Sequence, residues 1–196
     1  MKSKKLLGLG MAALFSVSVL SGCSTLDSLL GRANTVVVYG DKEQVNKASD
    51  TYKDEVKNID KYGVKMIELN SKKIMVINDF VAEKMVEKGL LKKVDAKDDV
   101  TPLKEIPKSD TGSIFSKNKA DEVVKKGQKL KYGGNVVIGD GRVYADMFAI
   151  VKDEVYKELQ GTEKSVGVLE FSADPDEKIL PLSKEVEKAQ LVKMDK

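Results

Sequence analysis

The chain of 196 residues contains no histidine, no tryptophan and a single cysteine, Cys23. These absences exclude a Ser-His-Asp triad, a Cys-His catalytic pair, a metal site built on imidazole and a disulfide within one chain. Aromatic residues make up only 6% of the chain, which is little for a sugar-binding platform. Hydrophobic residues make up 41%, which is enough to build the core of one domain of ordinary size.

An excess of charge of one sign is also missing from most of the chain. Lys and Arg number 34 against 31 Asp and Glu, and the three surplus cations are matched by Lys2, Lys4 and Lys5 at the start. The remainder is formally neutral and has no overall positive field to attract nucleic acid or an anionic surface. We therefore predict no nucleic-acid partner.

The first 22 residues have the pattern of a secretory signal peptide. A short basic start is followed by the uncharged apolar stretch Leu6–Leu20, and small residues precede Cys23. An uncleaved transmembrane helix is the alternative. However, the 15 apolar residues rise only about 22 Å as a helix, whereas the hydrocarbon core of a bilayer is about 30 Å thick.

The tetrapeptide Leu20–Cys23 resembles the lipobox of bacterial lipoproteins. The resemblance implies that the thiol of Cys23 receives a diacylglyceryl group and that Cys23 becomes the N-terminus after cleavage. A small buried cysteine is the alternative. Two or more acyl chains hold a domain on a membrane without help from a basic patch, which agrees with the neutral charge of the remaining chain.

These observations predict three parts of the chain. Residues 1–22 form the signal peptide, residues 23–34 form the lipidated cysteine and its tether, and residues 35–196 form an extracytoplasmic domain. Three leucines of the tether have helical spacing and fit either an interfacial turn or a piece of the domain core: Leu26, Leu29 and Leu30.

The cationic residues also indicate the type of envelope. Lysine outnumbers arginine 32 to 2, the arginines being Arg32 and Arg142. This bias is typical of low-GC Gram-positive bacteria, so we expect a lipid anchor on the outer face of a single cell membrane. In a cell with two membranes, Ser24 after the cysteine would direct the protein to the outer membrane.

Hydrophobic periodicity predicts an α+β fold: a single domain with a mixed sheet and several amphipathic helices. Strands and helices alternate irregularly in the first half of the domain. The predicted elements are a strand at 35–39, a helix that begins with a capping box of Asp41 and Gln44 and runs to about Asp60 before Gly63, strands at 64–69 and 73–77 around the turn Asn70-Ser71-Lys72, and a helix capped by Asn78 that stops at Gly89.

The second half has a weaker pattern. Residues 92–118 show no periodic face and are predicted to form a long loop, which is a lid, an insertion or a set of short undetected strands. The elements predicted after it are a helix at 119–130, a hairpin of strands 135–138 and 142–151 around Gly139-Asp140-Gly141, a helix capped by Asp153, a strand at 165–171 and a helix from Ser183 to Leu191.

Motifs for catalysis are weak. Ser116 and Lys119 match the Ser-x-x-Lys pattern of penicillin-binding proteins, but the companion Ser-Asp-Asn and Lys-Thr-Gly motifs are missing. The glycines between Gly133 and Gly141 lack the spacing of a phosphate-binding loop and belong to turns. We predict that the protein is not an enzyme and needs no cofactor.

Two acidic clusters are candidate calcium ligands, because calcium prefers oxygen donors. Neither follows the spacing of a known calcium loop, so we predict no metal site. A glycosidase pair stays open from carboxylates alone, although the low aromatic content argues against it. The clusters are Asp95, Asp98 and Asp99, and Asp174, Asp176 and Glu177.

Residues 147–171 are similar to a strand-helix-strand element in the extracytoplasmic domains of FtsX-like ABC permeases. The similarity lies in an apolar strand that runs into an Asp-x-x-Tyr-x-x-Leu helix, here Asp153, Tyr156 and Leu159. It implies binding and coupling. We predict a lipoprotein that acts through protein contacts, as the accessory partner of such a permease or of another envelope protein. The alternatives are a receptor for a small ligand or solute and an envelope hydrolase that uses carboxylates.

Tyr144 and Phe148 are the candidate partner contacts. The predicted strand 142–151 carries apolar residues on both faces. It is therefore either a central strand covered on both sides or a strand with one face that meets a partner. In the second case, Tyr144 and Phe148 lie on the face that meets the partner.

Overall fold

The computed structural model describes residues 33–107, 109–119, 123–125 and 128–194. Within these ranges the chain forms one mixed eight-stranded sheet, two small sheets and four α-helices. The predicted α+β class with a mixed sheet is confirmed. The signal peptide, Cys23 and nearly all of the predicted tether lie outside the described residues.

The helices are short. They are α1 (Lys42–Tyr52), α2 (Asp79–Glu87), α3 (Asp153–Glu158) and α4 (Ile179–Glu185), the last preceded by the 3-10 turn Asp176–Lys178. The strands are β1 (Thr35–Gly40), β2 (Val56–Leu69), β3 (Lys72–Asn78), β4 (Leu91–Val94), β5 (Val100–Pro102), β6 (Ser113–Phe115), β7 (Val123–Lys125), β8 (Gln128–Lys129), β9 (Lys131–Gly134), β10 (Val136–Ile138), β11 (Met147–Val151), β12 (Thr162–Phe171) and β13 (Lys188–Val192).

The large sheet has the strand order β13-β1-β12-β2-β3-β11-β6-β9. Its neighbours are antiparallel except for the pairs β3–β11 and β6–β9, which are parallel. Strands β10, β4 and β5 form a second sheet, and β7 and β8 form a third. The longest ladder joins β12 to β2, from Thr162 opposite Met66 to Phe171 opposite Val56.

Alternating side chains give the large sheet two buried faces. On one face, Met75 and Phe148 pack with α2 and with residues of β4 and β10. The other face is covered in two places. Helices α1 and α4 lie over β1 and β12, and α3 lies over β3 and β11. The domain is therefore three-layered, with the large sheet in the middle.

Several local predictions are confirmed. Asn70 and Ser71 join β2 to β3 with φ of 52° and 61°, the left-handed conformation that a two-residue hairpin turn needs. The backbone N–H of Asp41 donates to Gln44 Oε1 at 2.8 Å, as in a capping box. Asn78 caps α2, because its Oδ1 accepts from the backbone N–H of Val81 at 2.8 Å.

The first helix is shorter than predicted. Helix α1 ends at Tyr52, and a turn closed by the N–H of Glu55 and the carbonyl of Tyr52, at 2.9 Å, leads into β2. Val56 and Ile59, which have helical spacing from Tyr52, lie in β2 instead. Pairing with β12 along the whole strand outweighs the local helical pattern, and Gly63 lies inside the ladder rather than at a helix end.

The predicted loop 92–118 is wrong in part, because it contains most of β4 together with β5 and β6. The predicted helix 119–130 is wrong where the chain is described, since β7 and β8 lie there; residues 120–122 and 126–127 lie outside the described residues. The last helix is also misplaced. Ser183 lies inside α4, and residues 188–192 form β13, which pairs with β1.

The turn at Gly139 exists, with φ of 73°, but the predicted hairpin around it does not. Strand β10 pairs with β4, whereas β11 pairs with β3 and β6. The turn instead points Asp140 towards the end of β13. There its carboxylate accepts from Lys92 Nζ and, at 3.0 Å, from the backbone N–H of Lys193. Strand β10 and the chain that leads to β11 therefore do not pair with each other across this turn.

Candidate functional site

The parallel strands β3 and β11 create a crevice at their carboxyl ends. They lie side by side, with Asn78 opposite Val151 in register. Helix α2 follows β3 and packs on one face of the sheet, whereas α3 follows β11 and packs on the other. In open sheets, two neighbouring strands whose helices depart to opposite faces leave a gap where ligands commonly bind.

A cavity of about 450 Å³ lies at this position and is called the cleft below. Two segments line it and are called its walls: one is α2, through Asp79, Glu83, Val86 and Glu87, and the other is residues 104–107 with Ser109. The bottom is formed by the end of β11 at Ile150, Val151 and Lys152 and by the start of β6. This volume is in the range of small-molecule sites in proteins.

The interior of the cleft is mainly apolar. Val86 of α2, Ile106 and Pro107 of the other wall, and Ile150 and Val151 of β11 line it. Removal of apolar surface of this kind from water by a ligand is favourable and contributes to binding. The cleft is therefore suited to an apolar part of a ligand.

Gly112 sets the depth of the cleft beside β11. Its φ is 95°, and a Cβ at this position would lie 2.6 Å from the carbonyl oxygen of Ile150. Ser109 Oγ donates to the carbonyl oxygen of Gly112 at 2.7 Å, which fixes the bend of the wall. Only glycine lets the wall approach β11 this closely.

The rim carries more acid than base. Asp79, Glu83 and Glu87 follow one another at four-residue spacing on α2 and so lie along one side of the helix. The other wall adds Glu105. Among the described residues of the lining, the basic ones are Lys104 and Lys152. These four carboxylates and two ammonium groups sum to a formal charge of minus two.

The rim carboxylates differ in how they are engaged. Glu87 forms an ion pair with Lys84 at 2.8 Å, and Asp79 Oδ1 accepts from the backbone N–H of Phe80 at 3.0 Å. Glu83 and Glu105 have neither a hydrogen bond nor an ion pair with any of the described residues. These two carboxylates, one on each wall, are available to a ligand.

Asn78 joins the starts of the two helices beside the cleft. Besides capping α2, it donates from Nδ2 to Asp153 Oδ1 at 2.8 Å. Asp153 also pairs with Lys157, one turn along α3, at 2.6 Å. The hydrogen bonds from Lys157 and Asn78 hold the pKa of Asp153 below its usual value. Asp153 was predicted to cap α3; it is instead the first residue of the helix, after Lys152.

The described lining contains two serines, Ser109 and Ser113, and no imidazole or thiol. The hydroxyl of Ser109 donates to the backbone carbonyl of Gly112. Across the described ranges, no group of three or more acidic or cysteine side chains is placed to hold a metal ion. The cleft offers apolar surface and charge to a ligand.

The predicted contact residue Phe148 is not on the surface. It is 3% exposed and stacks on Phe115, with ring centroids 4.6 Å apart. All five residues of β11 are buried. Of the two readings of this strand, the central strand covered on both sides is the one that the structure shows.

Tyr144 lies outside the cleft and is half-buried. Its ring stacks on Tyr39, with centroids 4.9 Å apart, and its hydroxyl donates to Glu187 Oε2 at 2.6 Å. Burial, together with the bond to the Glu187 carboxylate, raises the pKa of Tyr144. A partner contact at Tyr144 stays a prediction, whereas lipidation of Cys23 falls outside the described residues.

The other motifs form local turns. In the turn between β4 and β5, Asp95 Oδ1 accepts from the backbone N–H of Lys97 at 2.8 Å and of Asp99 at 3.0 Å. Asp174 Oδ1 accepts from the N–H of Asp176 at 3.1 Å. Ser116 Oγ donates to the carbonyl of Asn118, so the hydroxyl is not held by a lysine.

The cleft was not predicted from the sequence. Its lining comes from three separate segments, 79–87, 104–113 and 150–152, which only the sheet brings together. One signal was present: Asn78 and Lys152-Asp153 each follow an apolar strand and begin a helix. The acidic spacing at positions 79, 83 and 87 was a second.

Comparisons with known proteins agree on one class. A family model described as an uncharacterised lipoprotein family matches residues 33–195. The crystal structure of a candidate lipoprotein from Bacillus anthracis is 41% identical, with a TM-score of 0.78; the match covers 83% of this chain and all of that one. No curated protein matches the chain. In the part of the chain that the structure describes, no helix has the length and apolarity to cross a membrane.

Proposed function

Because the chain belongs to the uncharacterised lipoprotein family, we propose that it is a lipid-anchored, extracytoplasmic protein of the cell envelope that binds a ligand in the cleft. The observation that carries this proposal is the position of the cleft, at the carboxyl ends of β3 and β11 where α2 and α3 depart to opposite faces. The apolar lining and the unengaged carboxylates support binding without catalysis.

The strand directions put the start of the described chain at the same edge of the sheet as the cleft. Strand β1 is antiparallel to β12, β12 to β2, and β2 to β3. The start of β1 at Thr35 is therefore at the same edge of the sheet as the end of β3. Ten residues lie between Cys23 and Asn34, and the fully extended chain between these two residues spans at most about 40 Å. A lipid on Cys23 would tether the domain through this edge of the sheet.

Site-specific photo-crosslinking in intact cells tests the binding proposal. A photoreactive phenylalanine analogue replaces Ile106 in the cleft or, as the matched control, Leu180 of α4, which is 71% exposed and outside the cleft. We expect a discrete adduct at position 106 that is absent at position 180. Equal labelling at the two positions, or no adduct at 106, would contradict ligand binding in the cleft.

The anchor has its own test. Cys23→Ala is expected to leave unprocessed precursor or to release the domain into the medium, because the acyl chains are proposed to be the membrane attachment. Mass spectrometry of the N-terminal peptide is expected to show acylated Cys23. An unmodified thiol at Cys23 in membrane-bound protein would contradict the proposal.

A second candidate function is the accessory partner of an ABC permease, which acts by contact. Phe80 favours it: this residue lies in the first turn of α2, beside the cleft rim, and is 62% exposed. Exposed aromatic residues are frequent anchors of protein interfaces. Under this function, Phe80→Ala abolishes co-purification with the permease without changing the melting temperature. Unchanged co-purification with Phe80→Ala would contradict a contact through this residue.

A further inference from the structure

We infer that the ligand of the cleft carries a positively charged amine joined to an apolar portion, an inference that rests on the proposed function. The described rim has four carboxylates and two ammonium groups. Opposite charges attract more strongly beside a protein surface than in bulk water, because the effective dielectric constant is lower there. The local field of the cleft therefore favours a cation.

Glu83 and Glu105 are the residues that select the amine. They lie on different walls, and neither carboxylate has a hydrogen bond or ion pair with a described residue. A ligand ammonium group can donate hydrogen bonds to such carboxylates, and charge-assisted hydrogen bonds of this kind are stronger than neutral ones. The other two rim carboxylates, Asp79 and Glu87, are engaged by α2 itself.

The two lysines of the lining do not reverse this preference. Lys152 directly follows Val151, which is opposite Asn78 in register, and the adjacent Asp153 is engaged by Asn78 and Lys157. The carboxylates of the described rim outnumber its two ammonium groups two to one. Lys104 is adjacent to Glu105 in the chain. A purely anionic ligand would meet Glu83 on the other wall.

The apolar portion of the ligand matches the interior. Val86, Ile106 and Ile150 line the cleft below the charged rim. A ligand with methylene groups next to its amine can bury them there while the amine stays at the rim. The volume of about 450 Å³ fits a compact molecule.

The test uses three probes with the same dansyl group and a similar methylene linker. Dansylcadaverine ends in a primary amine, its N-acetyl derivative is neutral, and dansyl-aminohexanoic acid ends in a carboxylate. Binding to the full-length protein in nanodiscs of neutral lipid is measured by fluorescence anisotropy at low salt, and empty nanodiscs correct for partition into lipid. Ile106→Trp, which fills the cleft, identifies binding at this site.

We expect the amine probe to bind at least about 10-fold more tightly than the other two, and added salt to weaken it, because charge pairs at a rim are screened. The double variant Glu83→Gln with Glu105→Gln is expected to weaken the amine probe about 5- to 10-fold and to leave the neutral probe unchanged. Glu68→Gln, on the exposed side of β2, is the matched control and is expected to change nothing.

The outcomes separate the inference from the proposed function. If the neutral or carboxylate probe binds as tightly as the amine and Ile106→Trp abolishes that binding, the cleft binds ligands but the inference of a cationic ligand is overturned. If no probe binds, or if Ile106→Trp changes no affinity, both the inference and the proposed binding function are overturned. Loss of binding in Glu68→Gln would also overturn the inference.

Discussion

The large sheet consists of two unlike halves. The antiparallel half, strands β13, β1, β12 and β2, is built on long ladders, with 14 residues in β2 and 10 in β12. The parallel half, strands β3, β11, β6 and β9, has strands of three to seven residues and both parallel pairs. The first half carries the start of the described chain, and the second half carries the cleft. Binding residues commonly lie on loops that a rigid scaffold positions.

The two halves nevertheless share one core face. Val37 and Val64 of the antiparallel half belong to the same buried cluster as Ile77 and Phe148 of the parallel half. On the opposite face, each half has its own cluster, under α1 and α4 or under α3. We therefore expect the halves to unfold together, with local openings concentrated around the cleft.

The largest effect is expected from Phe148→Ala. The side chain is buried, stacks on Phe115 and belongs to the shared cluster, so its loss is expected to lower the free energy of unfolding by about 3–5 kcal/mol. Urea unfolding measures this. Leu180→Ala, at a position that is 71% exposed, is the control and is expected to change stability by less than about 0.5 kcal/mol. A change of less than about 0.5 kcal/mol for Phe148→Ala would contradict the burial of β11.

Asp140→Asn tests the connection between the small β4–β10 sheet and the edge of the antiparallel half. Lys92 is 5% exposed and binds the Asp140 carboxylate and, at 2.7 Å, the carbonyl of Lys193. Removal of the negative charge leaves the buried ammonium group of Lys92 without its ion-pair partner. We expect the free energy of unfolding, measured with urea, to fall by about 1–3 kcal/mol.

A matched control for that substitution is Glu163→Gln. Glu163 lies 3.5 Å from Lys65, but its side chain is 73% exposed. Exposed pairs contribute little, so we expect a loss of less than about 1 kcal/mol. Equal effects of the two substitutions would mean that the Lys92–Asp140 pair does not hold the small sheet in place.

Asn78→Ala tests whether Asn78 supports the starts of both α2 and α3. It removes the cap of α2 and the bond to Asp153, and we expect a loss of about 1–2 kcal/mol. Asn78→Ser, which can still cap α2, is expected to recover most of the loss. Hydrogen exchange of the amides near Val81 is expected to accelerate in the alanine variant. Unchanged exchange there would contradict the role of Asn78 as the shared support of both helices.

The smallest effect concerns Tyr62 in the antiparallel half, whose buried hydroxyl has no hydrogen-bond partner among the described residues. Burial, and then the charge of Asp60, raises the pKa of Tyr62 to about 12. Between about pH 10 and pH 12 the folded protein retains this proton while the unfolded chain releases it, so stability falls as pH rises through this window.

Tyr62→Phe is expected to make this alkaline loss of stability shallower, because one proton no longer differs between the two states. At pH 7 we expect the variant to be within about 1 kcal/mol of the parent, since no bond is lost. The pKa of Tyr156 is also raised to about 12, so the variant still loses some stability as the pH rises through this window. Identical slopes for the variant and the parent, measured by unfolding at pH 9 to 12, would contradict the account.

In the antiparallel half, β1, β12 and the second part of β2 were predicted from the sequence, as was the hairpin that leads into the parallel half, whereas the start of β2 and β13 were predicted as helix. Strand β1, the Asn70-Ser71 turn, the Asn78 cap and β12 have signals within a few residues of themselves. Strands β4 and β13 do not. Leu91 pairs with Ile138, and Leu191 pairs with Val36. Strands of four or five residues that depend on such distant partners carry no usable periodicity.

The cleft was not predictable for the same reason. Glu83, Ile106 and Val151 are far apart in the chain, and they meet only because β11 inserts between β3 and β6. The Asp-Gly turn at 140–141 even favoured a different pairing for this strand. The turn predicted at Gly139 is present. However, Asp140 in this turn binds Lys92, and the turn does not close a hairpin.

Hydrogen exchange of the full-length protein, with and without saturating dansylcadaverine, tests the central claim most directly: the parallel half, at the carboxyl ends of β3 and β11, is the binding site. We predict slower exchange in residues 79–87 and 104–107 when the probe is bound, and unchanged exchange in β1 and β12. Protection that appears in β1 and β12 instead, or no protection in either half, would contradict the claim.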